Sequence, residues 1–234
     1  MYINLLFKEK QTLMINIAID GPSGAGKSYL ARQVATRLGY IYVDTGALYR
    51  AIGLHMLDRG IDPSDREKVV AELENVTVSF VHKDGEQHVL LNSADVNSLI
   101  RTPEVSMAAS AVSAVPQVRA FLLGLQKDIA AKENIVMDGR DIGTVILPDA
   151  QVKIFLIASD EARAKRRFLE LTEKGTVTTL EEVQADMARR DRNDSTRDVA
   201  PAVPAHDAVI LDNSDLDREG TVLAALRIIE EKLK

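Results

Sequence analysis

The chain has 234 residues, no cysteine and a formal net charge of −6 at pH 7. This length supports one substantial core with a small excursion from it, so we expect one domain with inserts. Without cysteine there can be neither a disulfide framework nor a thiolate metal site. The net negative charge argues against a broad basic face for nucleic acid, and no apolar run reaches the roughly 18 residues that span a bilayer. We expect a monomer of the cytoplasm that binds neither nucleic acid nor a membrane.

The first thirteen residues, MYINLLFKEKQTL, carry their charges after the apolar patch. A signal peptide has the opposite layout. We interpret residues 1–13 as a short leader that need not be native, with Met14 as the expected functional start.

A phosphate-binding loop follows the first apolar run, INIAID. Residues 21–28 read GPSGAGKS and fit G-x-x-x-x-G-K-[ST] at every fixed position. Glycines let backbone N–H groups turn inward around a polyphosphate, the lysine reaches its oxygens, and the helix that follows favours anions at its N-terminus. The alternative is a glycine-rich turn with a surface lysine. The residues predicted to bind the nucleotide here are Gly21, Pro22, Ser23, Gly24, Ala25, Gly26, Lys27, Ser28 and Tyr29.

Short apolar runs alternate with helical patterns along most of the chain. The runs predict five buried strands, at 15–19, 40–43, 134–138, 152–157 and 209–211. Helices are predicted after each strand, including 30–38, 47–59 and 216–233. This order predicts an α/β fold: a five-stranded parallel sheet flanked by helices, with right-handed crossovers.

Two segments interrupt that alternation. Residues 61–100 contain a period-two pattern around the turn at 83–86 and predict a β-hairpin insert, in which His82 and His88 would be cross-strand neighbours rather than metal ligands. Residues 159–198 predict two charged helices, the second opened by the capping box of Thr179 and Glu182. We interpret them as an arginine-bearing lid over phosphates; a solvated helical hairpin is the alternative. The core would then comprise 14–60, 101–158 and 199–234.

Charged residues follow the strand at 134–138. Asp138 ends this strand, where phosphate-loop proteins place the carboxylate that holds Mg²⁺ waters, so Ser28 and Asp138 are the predicted magnesium residues. Arg140 and Asp141 follow in the same turn and could simply pair with each other. Arg50 is predicted on the crevice side of the sheet, where ligands of open α/β folds bind.

The other motifs and the length of the chain indicate which class of reaction the phosphate-binding loop serves. An N-K-x-D element, which a GTPase switch uses to read its base, does not occur in the sequence. A motor or transporter ATPase would need a longer chain. A phosphoryl transferase acting on a small acceptor remains, with an insert to hold the acceptor and a lid to close over the donor.

The motifs together resemble the bacterial cytidylate kinases, nucleoside monophosphate kinases with a phosphate-binding loop. The resemblance rests on GPSGAGKS, on DTGALYR at 44–50, on DGRDIGT at 138–144 and on the spacing of Arg190, Asp194 and Arg197 before VAPAVPA, and it covers about residues 14–234. It implies transfer of the γ-phosphoryl group of ATP to CMP or dCMP with Mg²⁺, and makes 61–100 the insert that binds the monophosphate.

The resemblance also implies a role for each matching residue. Lys27 and three arginines that clamp the acceptor phosphate would be catalytic: Arg50, Arg140 and Arg197. Ser110, Arg119 and Asp141 would read cytosine. Arg190 and Asp194 would hold the sugar, and Thr45 and Tyr49 would complete the acceptor site. Within the lid, Arg163 and Arg167 would contact ATP.

Three other functions stay open at this stage. The chain could phosphorylate another nucleoside monophosphate such as UMP, or a metabolite that is not a nucleotide. It could also be a regulatory module that binds ATP without transfer. A guanidinium beside a carboxylate complements cytosine but mismatches the O4 and protonated N3 of uracil, which favours the cytidine substrates.

Overall fold

The structure is a computed structural model that describes residues 14–83, 86–173 and 175–234. The predicted leader and two residues of the predicted hairpin turn, Asp84 and Gly85, lie outside the described residues.

Five strands form one parallel sheet, which confirms the predicted fold class. The strands of this sheet are β1 Asn16–Asp20, β2 Ile41–Asp44, β6 Ile135–Asp138, β7 Val152–Ile157 and β8 Val209–Asp212. Their order across the sheet is β2-β6-β1-β7-β8. All five predicted runs are therefore strands of one sheet.

Eight helices accompany the strands in the described part of the chain. They are α1 Lys27–Leu38, α2 Thr45–Asp58, α3 Arg66–Glu72, α4 Pro103–Ser113, α5 Pro116–Lys132, α6 Asp160–Glu173, α7 Leu180–Thr196 and α8 Arg218–Lys232. In β1, Ile17 and Ile19 join an apolar cluster with α1 and α8, whereas Ala18 joins one with α5. Because both faces of the sheet are covered, its strands are continuous apolar runs.

Side-chain caps decide where several helices begin. Helix α2 begins at Thr45, two residues before the predicted start, because the Asp44 carboxylate accepts a hydrogen bond from the Ala47 N–H at 2.9 Å. Helix α8 begins after Asp217, which accepts from the Gly220 N–H at 2.6 Å. The predicted capping box of Thr179 opens α7.

The insert contains the predicted hairpin together with a third strand, a short helix and a 3-10 turn. Strands β3 Val78–Lys83 and β4 Glu86–Leu91 form the hairpin, and β5 Ala94–Asp95 adds a third antiparallel strand. Helix α3 and a 3-10 turn at Leu73–Asn75 precede it, and neither was predicted. The prediction that two histidines face each other was wrong: His82 pairs with Gln87, so His82 and His88 lie on opposite faces.

Helices α2 and α4 pack closely through small side chains. A Cβ atom added to Gly53 of α2 would lie 2.9 Å from the Ala109 nitrogen and 3.0 Å from the Ala108 Cβ. Contacts this short with backbone cannot be relieved by a side-chain rotation.

Replacing Gly53 with alanine is therefore expected to destabilise the fold by about 1–3 kcal/mol, because the two helices must separate. Chemical denaturation would measure the change. Gly124→Ala in α5 is the matched control, since nothing lies within 4 Å of its added Cβ; it should be neutral or stabilising by up to about 1 kcal/mol. Equal midpoints for the two variants would contradict this packing.

Among the described residues, no single helix has the length and apolarity to cross a membrane, and α4 with α5 meet that test only as a pair bent by 99°.

Candidate active site

A cavity of about 780 Å³ opens at the carboxyl ends of the parallel strands. Its walls come from the loop after β1, the start of α2 after β2, the turn after β6 and the segment after β8, with further residues from α4, α5, α6 and α7. This edge of an open parallel sheet is where such folds bind ligands, and the volume suits a small-molecule site.

The phosphate-binding loop curls at one end of the cavity. Gly26 caps α1 with φ +94°, a conformation that other residues rarely adopt. Gly21 has a steric reason to be glycine, because an added Cβ would meet the Leu156 carbonyl oxygen at 2.1 Å. Gly21 allows the loop to pass β7 closely, and neither Gly21 nor Pro22 lines the cavity.

Lys27 is buried beneath the loop. Its Nζ donates to the Pro22 carbonyl oxygen at 2.6 Å. Burial lowers its pKa to about 7, with the nearby Arg140 guanidinium adding to the shift and Asp138, Asp191 and Asp20 opposing it. A bound polyphosphate would favour the charged ammonium.

Asp138 gathers polar groups at the end of β6. One carboxylate oxygen accepts from Ser28 Oγ at 2.8 Å, and the other accepts from Tyr42 Oη at 2.9 Å. Burial raises the pKa of Asp138 to about 6, with Asp44 adding to the rise, while Lys27 and these two donors lower it. Hydroxyl and carboxylate oxygens are the ligands that Mg²⁺ prefers, so this pair fits the predicted magnesium site.

Four arginines from different helices and turns line the cavity near one another: Arg50, Arg140, Arg167 and Arg190. Arg50 donates to Asp44 at 2.8 Å, yet its Nε is buried without a hydrogen-bond partner among the described residues. Such a group of cations repels itself unless an anion joins it.

The positive charge of Arg190 has fewer hydrogen-bond and ion-pair partners among the described residues than the charges of the neighbouring arginines. Its Nε is also buried without a partner, and the described residues offer it no ion pair. Burial lowers its pKa to about 10, and Arg140, Arg167 and Arg50 lower it further while Asp194 opposes them. A bound phosphate group would supply the missing acceptor.

A buried carboxylate organises the other end of the cavity. Asp141 accepts from Arg119 and, at 3.4 Å, from Arg197. Burial raises the pKa of Asp141, and the two guanidinium groups lower it. Arg119 also lies over the Tyr49 ring at 5.6 Å and donates to the Ser113 carbonyl oxygen at 3.4 Å. The arrangement offers donors and an acceptor side by side.

Asp194 connects this end to the arginines. It accepts from Arg140 Nε at 2.9 Å and from Ser110 Oγ at 3.4 Å. The alternative that Arg140 pairs with Asp141 is therefore wrong, because Arg140 has Asp194 as its ion-pair partner.

Comparison with known proteins agrees with this geometry. The family model described as cytidylate kinase matches residues 17–231. A cytidylate kinase of Caldicellulosiruptor bescii is 46% identical over 94% of this chain and 97% of its own, and that of Caldicellulosiruptor saccharolyticus is 48% identical over 92% and 95%. The chain belongs to the cytidylate kinase family. It is therefore an enzyme, a nucleoside monophosphate kinase, as the sequence predicted.

A more distant likeness appears among solved structures. Shikimate kinase of Bacteroides thetaiotaomicron has a TM-score of 0.47 and 14% identity, over 93% of this chain and 99% of that one. The family assignment depends on the sequence relatives alone.

Most residues predicted for this cytidylate kinase site meet in the cavity. The predicted residues that line it are Ser23, Gly24, Ala25, Gly26, Lys27, Ser28, Tyr29, Thr45, Tyr49, Arg50, Ser110, Arg119, Asp138, Arg140, Asp141, Arg167, Arg190, Asp194 and Arg197. Arg163 does not line the cavity. Its guanidinium donates hydrogen bonds to the Ser23 carbonyl oxygen, to Asp160 and to Asp191, on the other side of the loop. Arg197 lines the cavity beside Asp141, which it shares with Arg119.

Several residues that the sequence did not single out also line the cavity. Arg166 of α6 donates to Asn213 Oδ1 and to its carbonyl oxygen, and Asn213 in turn donates to the Ala25 carbonyl oxygen at 3.1 Å. Arg218 lies over the Tyr29 ring at 5.2 Å. An arginine run could have indicated Arg166; Asn213 belongs to no motif.

Asp20 is a further residue without a predicted role. It ends β1 and accepts from the Ile142 and Gly143 N–H groups, both at 2.8 Å. Burial raises its pKa to about 6, and these two N–H groups lower it. These hydrogen bonds connect the start of the phosphate loop to the turn that carries Asp141, so these two parts of the cavity wall are held in a fixed relative position.

The insert was predicted to bind the monophosphate. None of its described residues between 61 and 100 lines the cavity in this structure. It packs instead on the open side of β2, where Gln87 bonds the Asp44 backbone and His82 the Tyr42 carbonyl oxygen.

Proposed function

We propose that the chain transfers the γ-phosphoryl group of ATP to CMP and dCMP, producing ADP with CDP or dCDP. The observation that carries the proposal is a single cavity lined by the phosphate loop, by a carboxylate–guanidinium group around Asp141 and by further arginines. This is the arrangement that two anionic substrates need in order to meet.

The donor occupies the end formed by the loop and α1. The backbone N–H groups of the loop and the N-terminus of α1 hold the phosphates, and Lys27 turns from the Pro22 carbonyl to their oxygens. Arg166 and Arg167 line the same cavity from α6 and add positive charge.

Cytosine occupies the end around Asp141. Its N4–H₂ group donates to the carboxylate, and its O2 and N3 accept from guanidinium or hydroxyl groups nearby. Uracil would present an acceptor to Asp141 and a protonated N3 to the arginines. Each mismatched buried group costs about 1–3 kcal/mol, which supports a preference of about tenfold to hundredfold.

Catalysis then requires no general base. The attacking oxygen belongs to an acceptor phosphate that is already anionic, so the barrier is the repulsion and misalignment of two anions. Arg50, Arg140 and Arg190 neutralise the acceptor and the migrating group, while Lys27 neutralises the donor. Closure of the lid, residues 159–198, excludes water that would otherwise receive the phosphoryl group.

Ser28 and Asp138 would hold Mg²⁺. The Ser28 hydroxyl in α1 and the Asp138 carboxylate at the end of β6 are oxygen ligands that lie side by side. They fit a hard cation that keeps most of its waters and binds the phosphates of ATP. When bound, Mg²⁺ would neutralise charge on the β- and γ-phosphates.

The experiment that tests the function measures ADP release with CMP, dCMP, UMP, AMP and GMP as acceptors. CMP and dCMP should be used best, and UMP about tenfold to hundredfold less efficiently. A clear preference for AMP or GMP would overturn the cytidine assignment, and no ADP release with any acceptor would favour the regulatory module that binds ATP without transfer. A non-catalytic module would not need the second anion site that Arg50 and Arg140 supply.

The monomeric state, the cytoplasmic location and the domain boundaries stay predictions from the sequence. The roles of single residues are also predictions, which the variants below address.

A further inference from the structure

Two lid residues bond to the phosphate loop from behind. Asp191 of α7 accepts from the Ser23 N–H at 2.8 Å. Arg163 of α6 donates to the Ser23 carbonyl oxygen at 2.6 Å and, through the same nitrogen, to Asp191 at 2.5 Å. The N–H and the C=O of Ser23 are thus both bonded to one ion pair. We call Ser23, Arg163 and Asp191 the loop clasp.

Two members of the clasp, Ser23 and Arg163, are buried, and Asp191 is partly exposed. Arg163 is only 7% exposed. Arg163 and Asp191 line a second cavity of about 420 Å³ and not the large one, whereas Ser23 lines the large cavity. The ion pair therefore acts on a substrate only through the loop.

We propose that Arg163 and Asp191 are positioning residues that hold the phosphate loop in the conformation that accepts ATP. This inference rests on the proposed function. A phosphate loop binds through backbone N–H groups, and such donors are effective only if they already point at the anion before it arrives. Gly24, next to Ser23, has φ +72°, so a glycine-rich segment begins where the clasp ends. A contact on both sides of Ser23 restricts the rotations that would spread this segment.

The clasp also connects the two helices of the lid to the donor site at their base. Arg163 lies near the start of α6 and Asp191 near the end of α7, so the ends of the lid next to the core are bonded to the loop. A small apolar cluster of Ala164, Phe168, Leu171, Val183 and Met187 joins the two helices next to the clasp and beyond it.

The test compares ATP binding by Asp191→Ala and Asp191→Asn, measured by titration calorimetry without acceptor. Both variants remove the same negative charge near Lys27, but only the asparagine carbonyl can still accept from the Ser23 N–H. We expect the alanine variant to bind ATP about tenfold more weakly than the asparagine variant. CMP binding should stay within about twofold in both.

Asp160→Asn is the matched control. Asp160 bonds the other nitrogen of Arg163 at 2.5 Å but does not touch the loop, and its side chain is exposed. Its ATP affinity should stay within about twofold of wild type. Equal ATP affinities for the two Asp191 variants, an equal loss in Asp160→Asn, or a parallel loss of CMP binding would overturn the clasp. Because ATP binding is measured alone, these outcomes are distinct from a failure of CMP phosphorylation.

Discussion

Replacing Arg190 with methionine is expected to lower kcat/KM for CMP by about 100- to 1000-fold. Methionine keeps most of the volume but removes a cation whose buried Nε has no partner among the described residues. Burial, together with the neighbouring Arg140, Arg167 and Arg50, lowers the pKa of Arg190, so a bound anion would stabilise its charged form. A phosphate group passing between the two substrates is the anion we expect. Steady-state ADP release with both substrates varied would measure the effect.

Arg189→Met is the matched control for this variant. Arg189 is the adjacent residue of α7, and its exposed side chain bonds Asp186 at 2.8 Å. It should keep kcat/KM within about twofold. If Arg190→Met kept wild-type kcat and changed only the KM for CMP slightly, Arg190 would serve the sugar, as the family resemblance implied, and not the phosphates.

Asp141→Asn is the second change with a large expected effect. The amide leaves Arg119 and Arg197 without their shared carboxylate in a buried site. The variant also loses the charged acceptor for the amino group of cytosine, an interaction of about 1.5–3 kcal/mol, so we expect kcat/KM for CMP to fall by about 10- to 100-fold. The preference for CMP over UMP should shrink toward unity, because an amide can turn its oxygen or its nitrogen to the base. The ratio of kcat/KM for the two acceptors measures this.

The control for this variant is Asp149→Asn, an exposed carboxylate just beyond the turn that carries Asp141. It should change neither the rate nor the ratio. An Asp141→Asn enzyme that lost rate equally with CMP and UMP would show that the carboxylate supports the fold of the site without reading the base.

Local signals explain why so much of the fold was predictable. The phosphate loop, the apolar runs of the five strands and the capping box of Thr179 each depend on residues close together in the sequence. The caps that moved the start of α2 and α8 are also local, and Asp44 could have been identified as one. β5 has only two residues, too few for a pattern to indicate it.

The site was less predictable where the orientation of a helix determines which of its side chains face the cavity. Arg163 and Arg167 are one turn apart and were expected to face ATP together. The contacts of Arg163 with Asp160 and Asp191 instead direct it behind the loop and leave Arg166 and Arg167 at the cavity. The partner in α7 is 28 residues away, so no local pattern reveals it. Asn213 likewise depends on how the segment after β8 meets the phosphate loop.

The stereochemistry of transfer tests most directly whether both phosphates meet in this cavity. ATP made chiral at the γ-phosphorus with three oxygen isotopes, or with sulfur and two oxygen isotopes, would be incubated with CMP, and the configuration of the transferred group would be determined. Direct transfer between two substrates held face to face is a single displacement, so we expect inversion at phosphorus. Retention would require two displacements through a phosphorylated enzyme and would contradict the account.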